Sequence, residues 1–156
     1  MGERQCPGGA KAARRVEPLD VAAIPSGQLL LVDSAPIIYV LDGHRQLAKR
    51  FQPLFDRHAR GELRLAVTTI TIAEVLTGPL GCGDEVLAKR YRAVLESWEV
   101  IDLTADIAES AARLRKALKL EQPDAIQAAS AISVGADALV THDRDFSRLT
   151  SLSVWC

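Results

Sequence analysis

The chain has 156 residues, of which 48% are hydrophobic, and this length and composition fit one domain with a single core. Its 19 Lys and Arg residues nearly balance its 20 Asp and Glu residues, and the net charge of −1 excludes the overall basic character of a general nucleic-acid coat. Three cysteines without a close pair, and no apolar run of the roughly 18 residues that a membrane span needs, predict a cytoplasmic protein without disulfides, structural zinc or a membrane anchor.

Residues 1–27 mix Gly, Pro, Arg and Ala without a sustained hydrophobic period, which predicts a poorly ordered leader before a domain spanning residues 28–156. Short apolar runs then alternate with amphipathic stretches. Strands are predicted at 29–32, 63–67, 99–102, 137–140 and near 152–155. Helices are predicted from Ser34, around 45–60, from Thr71, and at 84–97, 105–119 and 123–134. The alternation predicts an α/β fold, a three-layer sandwich in which helices flank a mostly parallel central sheet.

Four acidic residues occur just after predicted strands or at the start of a predicted helix. They are Asp33 after the strand 29–32, Glu74 after 63–67, Asp124 in the first turn of the helix 123–134, and Asp143 after 137–140. Because parallel strands end at one edge of their sheet, these side chains are expected to converge there. Carboxylates held so close repel one another unless a cation neutralises them, and oxygen ligands select Mg²⁺ or Mn²⁺.

One or two such ions lower the pKa of a bound water and orient it for in-line attack on a phosphodiester. The acidic set therefore predicts phosphodiester hydrolysis.

Each acid also has an ordinary structural explanation. Asp33 suits a helix N-cap, and Glu74 completes a capping box with Thr71. Asp124 complements a helix dipole, and Asp143 suits a turn. Four such coincidences after strands and at helix starts favour a site over four independent caps.

Four segments resemble the motifs of the PIN-domain family, in particular its VapC-like toxin ribonucleases. They are Leu30-Leu31-Val32-Asp33-Ser34, Thr69-Ile70-Thr71-Ile72-Ala73-Glu74-Val75, Pro123-Asp124-Ala125-Ile126-Gln127-Ala128-Ala129-Ser130-Ala131 and Ala138-Leu139-Val140-Thr141-His142-Asp143-Arg144-Asp145-Phe146. The resemblance covers residues 29–156 and agrees in the order and spacing of the motifs. The chain departs from the family pattern in its long leader, in Pro36, and in Gln127, which takes a place that is often apolar.

The resemblance implies a Mg²⁺- or Mn²⁺-dependent endoribonuclease that cleaves single-stranded RNA, forms a homodimer and acts as the toxin of a type II toxin–antitoxin pair, neutralised by a small antitoxin. It implies Asp33 and Asp124 as the central metal ligands, with Glu74 and Asp143 completing the cluster directly or through water. The hydroxyls of two neighbouring residues, Ser34 and Thr141, are expected to support that shell.

Several cations and one apolar run have two interpretations each. Arg144 is a candidate RNA contact or an ion-pair partner of Asp145, and the basic stretch 44–60 is a candidate RNA or partner contact or a solvated helix face. The cations Arg113, Arg115, Lys116 and Lys119 lie where they complement the dipole at a helix end. The apolar run 37–41 fits the core, an antitoxin groove or a dimer face.

Two rival functions stay open at this point. One is a PIN-fold nuclease of RNA or DNA processing without a toxic role. The other is a non-catalytic binding module in which the acids only cap helices.

Overall fold

A computed structural model describes residues 18–156 and shows a parallel sheet with helices on both faces. The strands are β1 (Leu29–Val32), β2 (Arg64–Thr68), β3 (Glu99–Ile101), β4 (Ala138–Val140) and β5 (Ser153–Trp155). The helices are α1 (Ser34–Leu41), α2 (Leu47–Ala59), α3 (Thr69–Gly81), α4 (Glu85–Glu96), α5 (Ala105–Leu118) and α6 (Gln122–Ser133). All strand pairs are parallel in the order β3-β2-β1-β4-β5, which confirms the predicted fold class.

The central strand β1 is buried on both faces, and its side chains alternate between two cores. Leu29 and Leu31 face the core formed mainly with α5, α6 and the C-terminal segment. Leu30 and Val32 face the core formed with α1 to α4, where Phe51 is fully buried. A strand covered on both sides carries an unbroken apolar run, which is why Leu29–Val32 was recognisable as a strand.

The strand order reverses direction between β1 and β4. The chain passes from β1 to β2 and β3 on one side and then returns to place β4 and β5 on the other side. In open α/β sheets, the loops that leave the strand ends at such a point splay apart and leave a crevice at the carboxyl edge. The backbone amide of Asp33 donates to the carbonyl of Val140 over 2.9 Å, so the two strand ends that flank this crevice are tied together.

The described segment before β1 is anchored to the domain. The Leu19 amide donates to the carbonyl of Cys156 over 3.0 Å, and Val21 and Ile24 are buried. Arg57 of α2 donates to the carbonyls of both, over 2.7 and 2.8 Å, and pairs with Glu62 at 2.7 Å. The leader predicted at 1–27 lies mostly outside the described residues, and the boundary at residue 27 stays a prediction.

Between residues 18 and 156, no helix combines the length and the apolar character that crossing a bilayer requires.

Candidate active site

The acids predicted from the sequence lie around the crevice between β1 and β4. Asp33 directly follows β1, and Asp143 follows β4 after two residues. Asp124 is in the first turn of α6, and Glu74 is in α3, which begins immediately after β2. The fold therefore brings residues that are up to 110 positions apart in the chain to one edge of the sheet.

Asp33 both caps α1 and faces the crevice. Its Oδ1 accepts the Ser34 amide over 2.7 Å as the N-cap of α1, while its Oδ2 accepts the Thr141 hydroxyl over 2.8 Å. Burial raises the pKa of Asp33, hydrogen bonds from Thr141 and Ser34 lower it, and the charge of Asp143 raises it further. The capping interpretation is thus correct for one oxygen, but it leaves the second oxygen aimed at the end of β4.

A buried polar network holds the position of Asp33 from the side of α6. Gln127 is 1% exposed, and its amide nitrogen donates to Thr71 over 2.6 Å and to Asp33 over 3.4 Å. Its amide oxygen accepts the Thr68 hydroxyl over 3.3 Å. Polar groups this deeply buried are stable only when they are hydrogen-bonded, so each member fixes the orientation of the others.

The capping box that could have explained Glu74 does not form, and that interpretation was wrong. The helix α3 begins at Thr69, and its N-cap is Thr68, whose hydroxyl accepts the Thr71 amide over 3.1 Å. Glu74 is therefore in the second turn, where it is half-buried and its carboxylate caps nothing. Freed from a capping role, this carboxylate is available to the acidic cluster.

Asp124 is the acid whose charge is most affected by the others. Burial is the first cause and the charges of Asp143, Asp33, Asp145 and Glu74 follow, and together they raise its pKa to about 6. A first-turn acid normally gains from the helix dipole. The direction of the shift means that desolvation and repulsion outweigh that gain, so the dipole does not explain why an acid stands here.

The loop after β4 is organised by Thr141 and Asp143. The Thr141 hydroxyl accepts the Asp143 amide over 3.0 Å, and Asp143 in turn accepts the Asp145 amide over 2.8 Å. Asp145 is thus the first residue of a short 3₁₀ turn (Asp145–Arg148). Arg144 is exposed, and within residues 18–156 it forms no ion pair with Asp145 or any other acid.

The donor set fits a small, hard divalent cation. Across the described part of the chain, no three His, Cys, Asp or Glu side chains enclose an ion by themselves. Mg²⁺ does not need such a cage, because it keeps several waters and binds through one or two protein carboxylates. The mutual repulsion recorded in the pKa of Asp124 is the condition that such a cation would relieve.

Sequence reasoning missed two contributors to this site. Asp145 adds a fourth negative charge that acts on Asp124, and Gln127 joins α6 to Asp33. A buried glutamine in an otherwise Ala-rich helix was the available signal, because a polar side chain facing a core needs partners there.

The structural comparison finds toxin–antitoxin proteins. A toxin–antitoxin complex from Klebsiella pneumoniae aligns at 27% identity and a TM-score of 0.63, covering 79% of this chain and 94% of the other. VapBC2 from Rickettsia felis, bound to a promoter DNA fragment, aligns at 20% identity and a TM-score of 0.66, covering 81% and 97%. VapC20 from Mycobacterium tuberculosis, a toxin that cleaves the sarcin-ricin loop, aligns at 20% identity and a TM-score of 0.61, covering 76% and 92%.

The comparison of the sequence with curated proteins and with family models adds one match. No curated protein matches the chain significantly. The profile of the PIN domain matches residues 30–152, which include all four predicted acids and most of the described chain. With that match, the parallel sheet and the acidic crevice at its carboxyl edge, the chain belongs to the PIN domain family.

Proposed function

We propose that this protein is a divalent-metal-dependent endoribonuclease that hydrolyses phosphodiester bonds of single-stranded RNA, and that it is the toxin of a toxin–antitoxin pair. The observation that carries the proposal is the placement of Asp33, Glu74, Asp124 and Asp143 at one edge of the sheet, close enough for the other three charges to raise the pKa of Asp124. Acids that only cap separate helices would not lie close enough to repel one another in this way. Acids that bind a cation, which in turn binds phosphate, would lie this close.

In this proposal, Asp33 and Asp124 hold the ion and Glu74 and Asp143 complete its surroundings directly or through water. The ion, when bound, supplies an activated water and a positive charge for the phosphate oxygens. Thr141 keeps one oxygen of Asp33 in place, and the Ser34 amide keeps the other. Gln127 restrains the same carboxylate from α6, so that its position is set before any ligand arrives.

The substrate and the toxic role are supported by the comparisons. The VapC20 relative is a toxin that cleaves the sarcin-ricin loop, which is RNA, and the relative from Klebsiella pneumoniae is a toxin–antitoxin complex. The family resemblance extends the proposal to a homodimer.

An apolar cavity supports an antitoxin partner. It lies between α1, α2 and α4, has a volume of about 360 Å³, and exposes an aromatic and aliphatic lining. The lining includes Ile37, Val40, Leu41, Phe55, Val94 and Trp98. A short amphipathic segment of an antitoxin, placing apolar side chains into this cavity, is the occupant that we propose.

The test is end-mapped cleavage of total cellular RNA with Mg²⁺ or Mn²⁺ by the wild type and by Asp124→Asn. We expect discrete metal-dependent ends that disappear in the variant while its circular dichroism spectrum stays unchanged. Lys89→Gln, an exposed substitution on α4, is the control and should cleave normally. Full cleavage by Asp124→Asn would contradict the assigned site.

Expression in a host tests the toxic role separately. Growth arrest by the wild type, but not by Asp124→Asn, is expected of a toxin, and co-expression of the antitoxin should restore growth. Metal-dependent cleavage without growth arrest would instead favour a processing nuclease. If the protein neither cleaves RNA nor binds metal, the result would favour the non-catalytic module.

A further inference from the structure

A second, basic site lies beside the acidic crevice. A cleft of about 480 Å³ opens between the end of α5 and the start of α6. Its lining consists of Ala112, Arg115, Lys116, Lys119, Leu120, Glu121 and Gln122. The three cations are exposed, and within residues 18–156 none of them pairs with an acid. Glu121 is the single acid in the lining, so the cleft carries a positive excess.

Two further observations come from outside the helix α5 itself. Arg148, at the end of the 3₁₀ turn after β4, donates to the carbonyl of Leu118 over 3.2 Å and brings a fourth cation to the end of α5. Lys119 has a left-handed backbone, with φ of 55°, the only positive φ among the non-glycine residues of 18–156. A long cationic side chain in a conformation that suits glycine or asparagine is unfavourable for folding alone.

The dipole of α5 accounts for only part of this arrangement. A helix C-terminus favours cations in its last turn, which covers Arg115 and Lys116. It does not explain Arg148, which belongs to another element. The left-handed backbone of Lys119 ends α5 as its C-cap, with the Lys119 amide donating to the carbonyl of Arg115. Arg113 shows the contrast, because it lies two residues before Arg115 on α5, is not part of the cleft lining, and pairs with Glu109 at 2.5 Å.

The cleft and the acidic crevice share structural elements. Gln122 lines the cleft, and Asp124 lies two residues later in the same turn of α6. The turn that carries Arg148 begins at Asp145, two residues after Asp143. A strand of nucleic acid with one phosphate at the acids would therefore run its neighbouring phosphates toward the cations.

We propose that Arg115, Lys116, Lys119 and Arg148 form a phosphate-binding subsite that holds the RNA strand at one side of the scissile bond. The inference rests on the proposed nuclease function and adds the side of the acidic site on which the bound strand continues. Lysine and arginine bind phosphate through charge-assisted hydrogen bonds, and such phosphate contacts fix the position of a bound strand.

The experiment compares two substitutions of equal charge in an Asp124→Asn background, which prevents cleavage. Arg115→Gln/Lys116→Gln removes two cations of the cleft. Lys89→Gln/Arg90→Gln removes two exposed cations of α4 that form no ion pair in the described part of the chain. Binding of a fluorescein-labelled single-stranded RNA of about twelve nucleotides is measured by anisotropy at about 50 and 200 mM salt.

Removal of two phosphate contacts should make the slope of log affinity against log salt shallower by about 1.4. The ratio of the RNA affinity of the parent protein to that of the variant should therefore fall about sevenfold between the two salt concentrations. The control pair should leave the slope unchanged. Arg148→Gln, on a separate element, should reproduce about half of the slope change.

Three outcomes would overturn the subsite. Unchanged slopes in both Arg115→Gln/Lys116→Gln and Arg148→Gln, with RNA still bound and cleaved by the active enzyme, would overturn the subsite alone. Equal losses in the cleft pair and the α4 pair would reduce the effect to net charge. No RNA binding by any form, together with no cleavage by the wild type, would overturn the proposed function as well. If the cleft binds an acidic partner instead, the cleft substitutions will leave RNA binding unchanged and will reduce the capture of an acidic peptide.

Discussion

The charge of Asp124 opposes folding when no cation is present. Its pKa in the folded protein is raised to about 6 from the ordinary value of 3.8, first by burial and then by its acidic neighbours. The folded state therefore binds a proton more tightly than the unfolded state, so protonation stabilises the fold. The loss of folding stability caused by the ionised Asp124 carboxylate is fully present above about pH 6 and disappears as the pH falls toward 3.8.

We therefore expect Asp124→Asn to be more stable than the wild type in the absence of metal at pH 7 to 8. Each kcal/mol of relieved repulsion should raise Tm by about 2–4 °C in a chain of this size. The difference in Tm should shrink as the pH is lowered through about 6 and vanish near 4, as measured by thermal unfolding in a chelating buffer. Glu85→Gln is the control, because Glu85 is an exposed acid in the first turn of α4 that forms no ion pair within residues 18–156. A destabilised Asp124→Asn at pH 8 would mean that the dipole, and not repulsion, dominates at this position.

At the scale of elements, Gln127 connects α6 to the ends of β1 and β2. Replacing it with leucine removes hydrogen bonds to Thr68, Thr71 and Asp33 inside the core. We expect Gln127→Leu to lose about 1–3 kcal/mol of stability, because the buried hydroxyls of Thr68 and Thr71 each lose a hydrogen bond and keep only the one between themselves and the one to the Thr71 amide. We also expect its Mn²⁺ affinity, measured by calorimetry, to fall about tenfold to a hundredfold, because Asp33 loses a neighbour that orients it.

Ser130→Ala is the matched control for this prediction. Ser130 is 1% exposed on the same helix, and it is not among the hydrogen-bond partners of the Asp33 side chain within residues 18–156, which are Ser34, Gln127 and Thr141. A loss of stability in Gln127→Leu with unchanged Mn²⁺ affinity would show that Gln127 supports the core and not the site.

The elements themselves were largely predictable because burial leaves a local pattern. The apolar run 29–32 and the turn-bounded runs at the other strands mark residues covered on both faces, and β1 has the predicted bounds. The start of α3 was placed at Thr71 instead of Thr69, since either Thr68 or Thr71 could cap a helix and only the geometry of β2 selects Thr68. Caps compete locally, so the sequence does not rank them.

Contacts between distant segments were not predictable in the same way. Of the basic stretch 44–60, Arg57 is committed to the carbonyls of Val21 and Ile24, and Arg60 pairs with Glu62. Arg50 donates to the carbonyl of Cys156. The stretch is therefore occupied largely by structural contacts, while the cations at the end of α5, which the helix dipole had seemed to explain, line an open cleft.

At the scale of the whole molecule, a net charge of −1 conceals a separation of charge along one edge of the fold. Acids gather at the switch point, and the cations of the α5–α6 cleft lie next to them. Folding has placed mutually repelling carboxylates together, so the missing stabilisation should be supplied by a ligand that binds only the folded state. Metal binding should therefore raise the stability of the whole protein against unfolding, and this can be measured without knowing the RNA substrate.

We expect Mn²⁺ at about 100 times its Kd to stabilise the wild type by about 2.7 kcal/mol. At about 2–4 °C for each kcal/mol, this corresponds to a rise in Tm of roughly 5–11 °C. The rise should be largely lost in Asp33→Asn and Asp124→Asn, and in the wild type it should decline below about pH 6, where a proton competes for Asp124. An equal rise in all three proteins would place the ion away from these acids. No rise in the wild type, with the acids still coupled in the pH titration of Tm, would mean that the carboxylates repel one another without binding a cation, and the proposed chemistry would lose its basis.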